Sequence, residues 1–178
     1  MLRIICQLAI IVLASAATPS FAKDYKVEII VFENLDHSQA YESHHYTEVE
    51  PMSSNSEVWD LEPSMLVDDY TTLDESESYR VINYFSWGQE SLPILEAAAV
   101  EITEPPLTGW IKTYAKQLLY LNLDLDYEGY RLNEKRRIKL NEKHFFDHPK
   151  FGVLAQVSRL EPEKALDEEE QNGQPTED

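Results

Sequence analysis

Cysteine is almost missing from this chain. The only one, Cys6, opens the apolar run Ile4–Ala14, and loss of that run by processing would leave a chain with no disulfide, no thiolate metal site and no cysteine nucleophile. Glycine is scarce as well: five in 178 residues leave little material for the tight loops that cradle phosphates. There is no Gly-x-Ser-x-Gly elbow and no His-Glu-x-x-His helix, so two common hydrolase signatures are excluded. The first apolar run is too short to cross a bilayer and no second one follows, so no integral membrane segment is expected after processing. Cations are outnumbered, 15 Lys and Arg against 33 Asp and Glu, giving a formal net charge of −18. A body of that sign repels nucleic-acid phosphates, and nucleic acid is not an expected partner.

What is present begins with an export signal. Arg3, the run Ile4–Ala14 and the small-residue exit Ser20-Phe21-Ala22 predict a cleavable signal peptide over 1–22 and a periplasmic product starting near Lys23. A lipoprotein acceptor cysteine would close the apolar run, whereas Cys6 opens it. Residues 23–160 suit one domain, large enough to bury a core without covalent staples. Charge is unevenly spread: 23–130 holds 5 basic and 22 acidic residues, while 131–150 holds 7 basic and 3 acidic. A local basic patch on an acidic body favours an anionic group presented to one face. The stretch Glu161–Asp178, with 8 acidic residues against one lysine, reads as a disordered acidic tail.

Hydrophobic periodicity predicts mostly strands. Tyr25–Phe32 begins with alternation and becomes continuously apolar, as a strand covered on both faces does. His37 to Pro63 reads as a long surface excursion with room for one short helix, and Pro63 to Ser78 as a short amphipathic helix carrying Leu66, Tyr70 and Leu73. Tyr79–Trp87 is β-branched and aromatic, hence a strand. Leu92 to Ile102 is left open between helix and strand, bounded by Glu104-Pro105-Pro106. In Gly109–Lys116, Trp110, Lys112, Tyr114 and Lys116 alternate with Ile111, Thr113 and Ala115. In Leu119–Tyr127 four leucines point inward and Asp124 and Asp126 toward water. Glu128-Gly129 offers a turn, and strands are expected from about Lys135 to Asn141 and from Phe151 to Leu160. The resulting class is α+β: one domain, mainly antiparallel sheet, with one or two short helices on one face.

Several residue sets could carry chemistry. His144, Asp147 and His148 offer metal-ligand types, but on a strand the two histidines lie roughly 13 Å apart. Asp147-His148-Pro149 is better read as turn chemistry. His37, His44 and His45 have no fixed spacing to carboxylates and read as solvated loop residues. Asp124, Asp126 and Glu128 could pair for glycoside cleavage, yet their alternation marks a wet strand face. No metal or other cofactor is expected. Arg136-Arg137 suits binding: one guanidinium faces water while its neighbour turns inward toward a buried carboxylate. With Lys139, His144, Phe145, Phe146 and Trp110 they form the expected ligand site, cations for carboxylates and rings for a sugar face. The competing reading makes the arginines braces of the acidic body and the phenylalanines core.

The segment Arg136-Arg137-Ile138-Lys139, followed by His144-Phe145-Phe146-Asp147-His148-Pro149-x-Phe151-Gly152-Val153-Leu154, resembles the C-terminal signature of the CsiV family of periplasmic peptidoglycan-binding proteins. Val27–Glu33, Tyr79-Arg80-Val81 leading to Trp87-x-Gln89, and Gly109 through Leu125 agree with it in order. One stretch departs: where the family tends to show Arg-Tyr-Leu-His, this chain has Gln117-Leu118-Leu119-Tyr120. The resemblance implies a non-enzymatic factor that binds the cell wall and promotes its assembly. Its implied partners are peptidoglycan and the outer-membrane lipoprotein activator of a class A penicillin-binding protein. The alternatives are a protein-interaction adaptor that binds no glycan and, behind it, a metal-dependent cell-wall hydrolase.

Overall fold

Strand β1 (Tyr25–Asn34) is apolar on both sides because both of its faces are covered. Val27, Ile29 and Val31 enter the main core between two sheets, while Ile30 and Phe32 turn the other way into a smaller cluster. The computed structural model describes residues 24–36 and 48–160. The expected signal peptide, the histidines at 37, 44 and 45, and the acidic tail lie outside the described residues.

After β1 come β2 (Val58–Asp60), the helix α1 (Val67–Asp74), β3 (Tyr79–Gln89), β4 (Val100–Ile102), β5 (Leu107–Ala115), β6 (Leu119–Tyr127), β7 (Tyr130–Ile138), β8 (Lys143–Asp147) and β9 (Phe151–Arg159). They form two antiparallel sheets, a five-stranded one ordered β2-β3-β1-β9-β8 and a four-stranded one ordered β4-β5-β6-β7. The inner faces share one core: Leu121, Leu123 and Leu125 of β6 meet Val27, Ile29, Val153 and Val157. α1 lies on the outer face of the five-stranded sheet, where Leu66, Tyr70 and Leu73 cover Ile30 and Phe32. The class is α+β, mainly antiparallel sheet with one short helix.

α1 is held by a charge inside the apolar run of β1. Glu28 is fully buried, and its carboxylate accepts the backbone N–H groups of Ser64, Met65 and Leu66 and the Tyr84 hydroxyl. These amides belong to the turn leading into α1, just before its first residue Val67, and only the Leu66 N–H is one that the helix start itself leaves without a carbonyl partner. Glu33 is the counterpart at the other end of β1. It accepts from Lys150, from Arg80 and from the Tyr127 hydroxyl of β6, and so ties the two sheets together.

Several expectations shift. The strand expected from Lys135 begins at Tyr130, because Glu128 and Gly129 both take positive φ and Tyr127 then pairs directly with Tyr130. That two-residue connection matches the right-handed twist of the strands it joins. The same strand stops at Ile138, and Asn141, also at positive φ, belongs to the turn into β8. Leu92–Ile102 is a turn followed by the short β4. Within the excursion before Pro63, 48–55 crosses the outer face of the four-stranded sheet: Glu50 N–H reaches Asp124, Lys112 reaches the Ser53 carbonyl, and Asn122 touches Met52. That cover overturns the expectation that Asp124 faces water. Asp124 is buried, and the charge it carries is met by Arg131.

Candidate anion-binding groove

The structure does not bring the expected ligand residues onto one face. β8 pairs with β9 so that Phe146 stands opposite Val153 and Phe145 opposite Leu154, and neighbours on a strand point to opposite sides. Phe146 is therefore fully buried core. Phe145 is 47% exposed on the far face of the five-stranded sheet, stacked on Phe32 at 5.9 Å between ring centroids. Trp110 lies on the outer face of the other sheet, in register with Glu101 and Asp124.

The two arginines separate as strand parity requires. Arg136 turns inward, its guanidinium 4.4 Å from the Phe146 ring centroid, and donates to Glu134 and to the Phe145 carbonyl. The carboxylate it meets is half-exposed rather than buried. Its role is to brace the edge where the two sheets meet. Arg137 points outward and forms no ion pair among the described residues.

The histidines act in turns. His144 Nε2 accepts the Lys139 N–H at 3.0 Å between β7 and β8. His148 Nδ1 accepts the Lys150 N–H at 3.1 Å, and its ring packs against Tyr130 and Phe151. In that turn His148, not Asp147, supplies the side-chain acceptor, and the His148 N–H bonds the Phe151 carbonyl across Pro149. Among the described residues no group of three or more His, Asp or Glu side chains is arranged to hold a metal ion. The carboxylates weighed for glycoside cleavage have structural partners. Asp124 pairs with Arg131, Asp126 accepts the Gly129 N–H at 3.0 Å, and Glu128 lies 3.7 Å from the Lys150 amine.

A different site forms at one end of the two sheets. The β5–β6 hairpin, the end of β7, the start of β1 and the end of β9 surround a groove of about 390 Å³. Lys116, Arg137, Lys139 and Arg159 line it together with Ser91 and Gln117, and among the described residues no carboxylate does. Each cation reaches it for a separate reason. Lys116 sits in the hairpin, Arg137 opposite Tyr120 on β7, Lys139 just past that strand, and Arg159 opposite Tyr25 at the edge of the paired region. Lys139 shares its charge with Glu142 at 3.0 Å across an exposed surface, a weak contact.

A ring shelf adjoins the groove. Half-buried Tyr120 supplies its accessible ring and stacks on the buried Tyr114 at 5.3 Å with an 11° interplanar angle. It also lines a smaller depression, of about 240 Å³, with Lys116, Gln117 and Leu118. The Lys135 amine stands 5.4 Å over the Tyr114 ring, and its contact with the Tyr114 hydroxyl raises its pKa. Four cations, of which only Lys139 has a carboxylate partner among the described residues, on a chain of net charge −18, focus attraction for an anion at one place. Guanidinium groups add bidentate recognition of a carboxylate or a phosphate.

Of the residues expected from the sequence, Arg137 and Lys139 belong to this groove. Lys116, Gln117, Tyr120 and Arg159 were missed. The available signal was the alternation of β5 and β6, which places Tyr114 and Tyr120 on one outer face, and the basic character of the last residues of β7. Comparison of the chain with protein-family models, with curated proteins and with solved structures found no match.

Proposed function

We propose that this protein is a non-enzymatic, exported peptidoglycan-binding factor that promotes cell-wall assembly, working with the lipoprotein activator of a class A penicillin-binding protein. The observation that carries this reading is the groove formed by Lys116, Arg137, Lys139 and Arg159 beside the Tyr114–Tyr120 shelf. Peptidoglycan offers matching chemistry. Its stem peptides carry free carboxylates, which suit the guanidinium groups, and its sugars present flat apolar faces, which suit a tyrosine ring. Gln117-Leu118-Leu119-Tyr120, the stretch that departs from the CsiV pattern, lines the groove and shelf. Ligand preference is therefore expected to differ from that of proteins with Arg and His there. Co-sedimentation with purified sacculi tests the reading.

A protein-adaptor reading draws on a second surface. Phe32, Leu73, Phe145 and Leu154 line an apolar depression of about 250 Å³ beside α1, with Phe145 exposed. Exposed apolar residues of this kind suit a protein contact. Failure of the chain to sediment with sacculi, together with capture of the lipoprotein activator, would favour it.

A further inference from the structure

The last described residues leave the fold at the mouth of the basic groove. Leu160 N–H bonds the Asp24 carbonyl at 2.8 Å, and the preceding Arg159 lines the groove itself. The next residues, Glu161 to Asp178, carry eight carboxylates against one lysine, four of them consecutive in Asp167-Glu168-Glu169-Glu170. The chain's densest run of negative charge thus follows directly on a groove lined by four cations and, among the described residues, by no carboxylate. Asp167 is seven residues past Leu160, and an extended chain of that length reaches about 23–25 Å. That is enough to return across a groove whose wall begins at Arg159.

We infer that the acidic stretch Glu161–Glu170 occupies the basic groove of its own molecule and competes there with the anionic wall ligand. The inference rests on the reading of the groove as the wall-binding site. Tethering presents the acidic run at an effective concentration on the order of millimolar, enough to populate a contact built from individually weak ion pairs. Such a contact is screened by salt and gives way to a polymer that offers many carboxylates at once. Its effect is to make binding selective for dense, multivalent wall over isolated small anions.

The experiment uses the chain from Lys23 to Asp178, which lacks cysteine, so one introduced thiol takes a label cleanly. A nitroxide is attached through Gln171→Cys, and backbone amide signals are read at about 0.05 M salt, where screening is weak. The inference predicts broadening of the amides of 116–118 and 137–139, absent in Arg137→Glu/Lys139→Glu, with the Glu128-Gly129 turn at the opposite end of β6 unaffected. No broadening at the groove, or equal broadening at Glu128-Gly129, overturns it. A parallel arm compares sacculus binding of the unsubstituted chain with Asp167→Asn/Glu168→Gln/Glu169→Gln/Glu170→Gln, for which about ten-fold tighter binding is expected once the tethered competitor is removed. Unchanged binding by that variant overturns the competition while the wall-binding reading stands. Groove broadening in a chain that binds no sacculi, before or after neutralisation, overturns competition for wall and the wall-binding reading together, and leaves only the intramolecular contact.

Discussion

Arg131 donates through Nε and Nη2 to the two carboxylate oxygens of Asp124, at 2.6 Å each, beneath the segment that crosses the outer face of the four-stranded sheet. The fork geometry and burial make this pair structural. Removing the carboxylate alone leaves a guanidinium largely out of water. Asp124→Ala is therefore expected to lower stability by about 3 kcal/mol, read as the denaturation midpoint in urea. Asp124→Leu/Arg131→Met, which removes both charges, should recover much of that loss.

Glu28 gives the fold a dependence on acid. Burial pushes its carboxyl up, but the Tyr84 hydroxyl, the Lys26 amine and the Ser64 and Leu66 N–H groups leading into α1 outweigh it and hold the group below its ordinary value. A carboxyl depressed by folding contributes stability that is fully present above the unfolded value near 4.3, and loses it as pH falls through the folded value. Glu28→Gln is expected to cost about 2 kcal/mol at neutral pH. The gap from the unsubstituted protein should shrink as pH drops below about 4. Urea midpoints measured across pH check both statements, and a gap that widens on acidification would contradict them.

Phe145 and Phe146 are sequence neighbours with opposite fates. Phe146→Ala empties a fully buried site under Arg136 and should cost about 3–5 kcal/mol. Phe145→Ala removes a half-exposed ring stacked on Phe32 and should cost about 1 kcal/mol. Calorimetric melting of the two variants separates them, and equal losses would contradict the assignment of faces.

The fold was legible where one face of an element decides its pattern. Leu119, Leu121, Leu123 and Leu125 announce β6, and the doubly apolar stretch of β1 announces a strand covered on both sides. Asp124 misled because its cover comes from 48–55, about seventy residues earlier, and no local periodicity records a segment that crosses a sheet. The start of β7 was missed because its polar residues Arg131, Asn133 and Lys135 face outward and hide the inward Leu132. The groove was half legible: the parity of Arg136 and Arg137 follows from strand geometry alone. Its other cations come from a hairpin and from the far end of β9, and only the pairing of Tyr25 with Arg159 and of Leu119 with Ile138 brings them together.

Arg136 and Arg137 should separate stability from binding. Arg136→Ala loses the contact with Phe146 and the bond to the Phe145 carbonyl, and is expected to lower the melting temperature while sparing sacculus binding. Arg137→Ala removes an outward charge with no ion pair among the described residues, so its stability should stay within about 0.5 kcal/mol of the unsubstituted protein.

Co-sedimentation of the purified chain with sacculi, at low salt and with Arg137→Ala/Arg159→Ala as the comparison, decides whether the groove holds the wall. The unsubstituted protein is expected to pellet with the wall, and the variant to stay folded yet bind about ten-fold less, since it lacks two of the four groove cations. Equal pelleting by the folded variant would contradict the groove as the binding site. Absence of the unsubstituted chain from the pellet would contradict peptidoglycan binding itself.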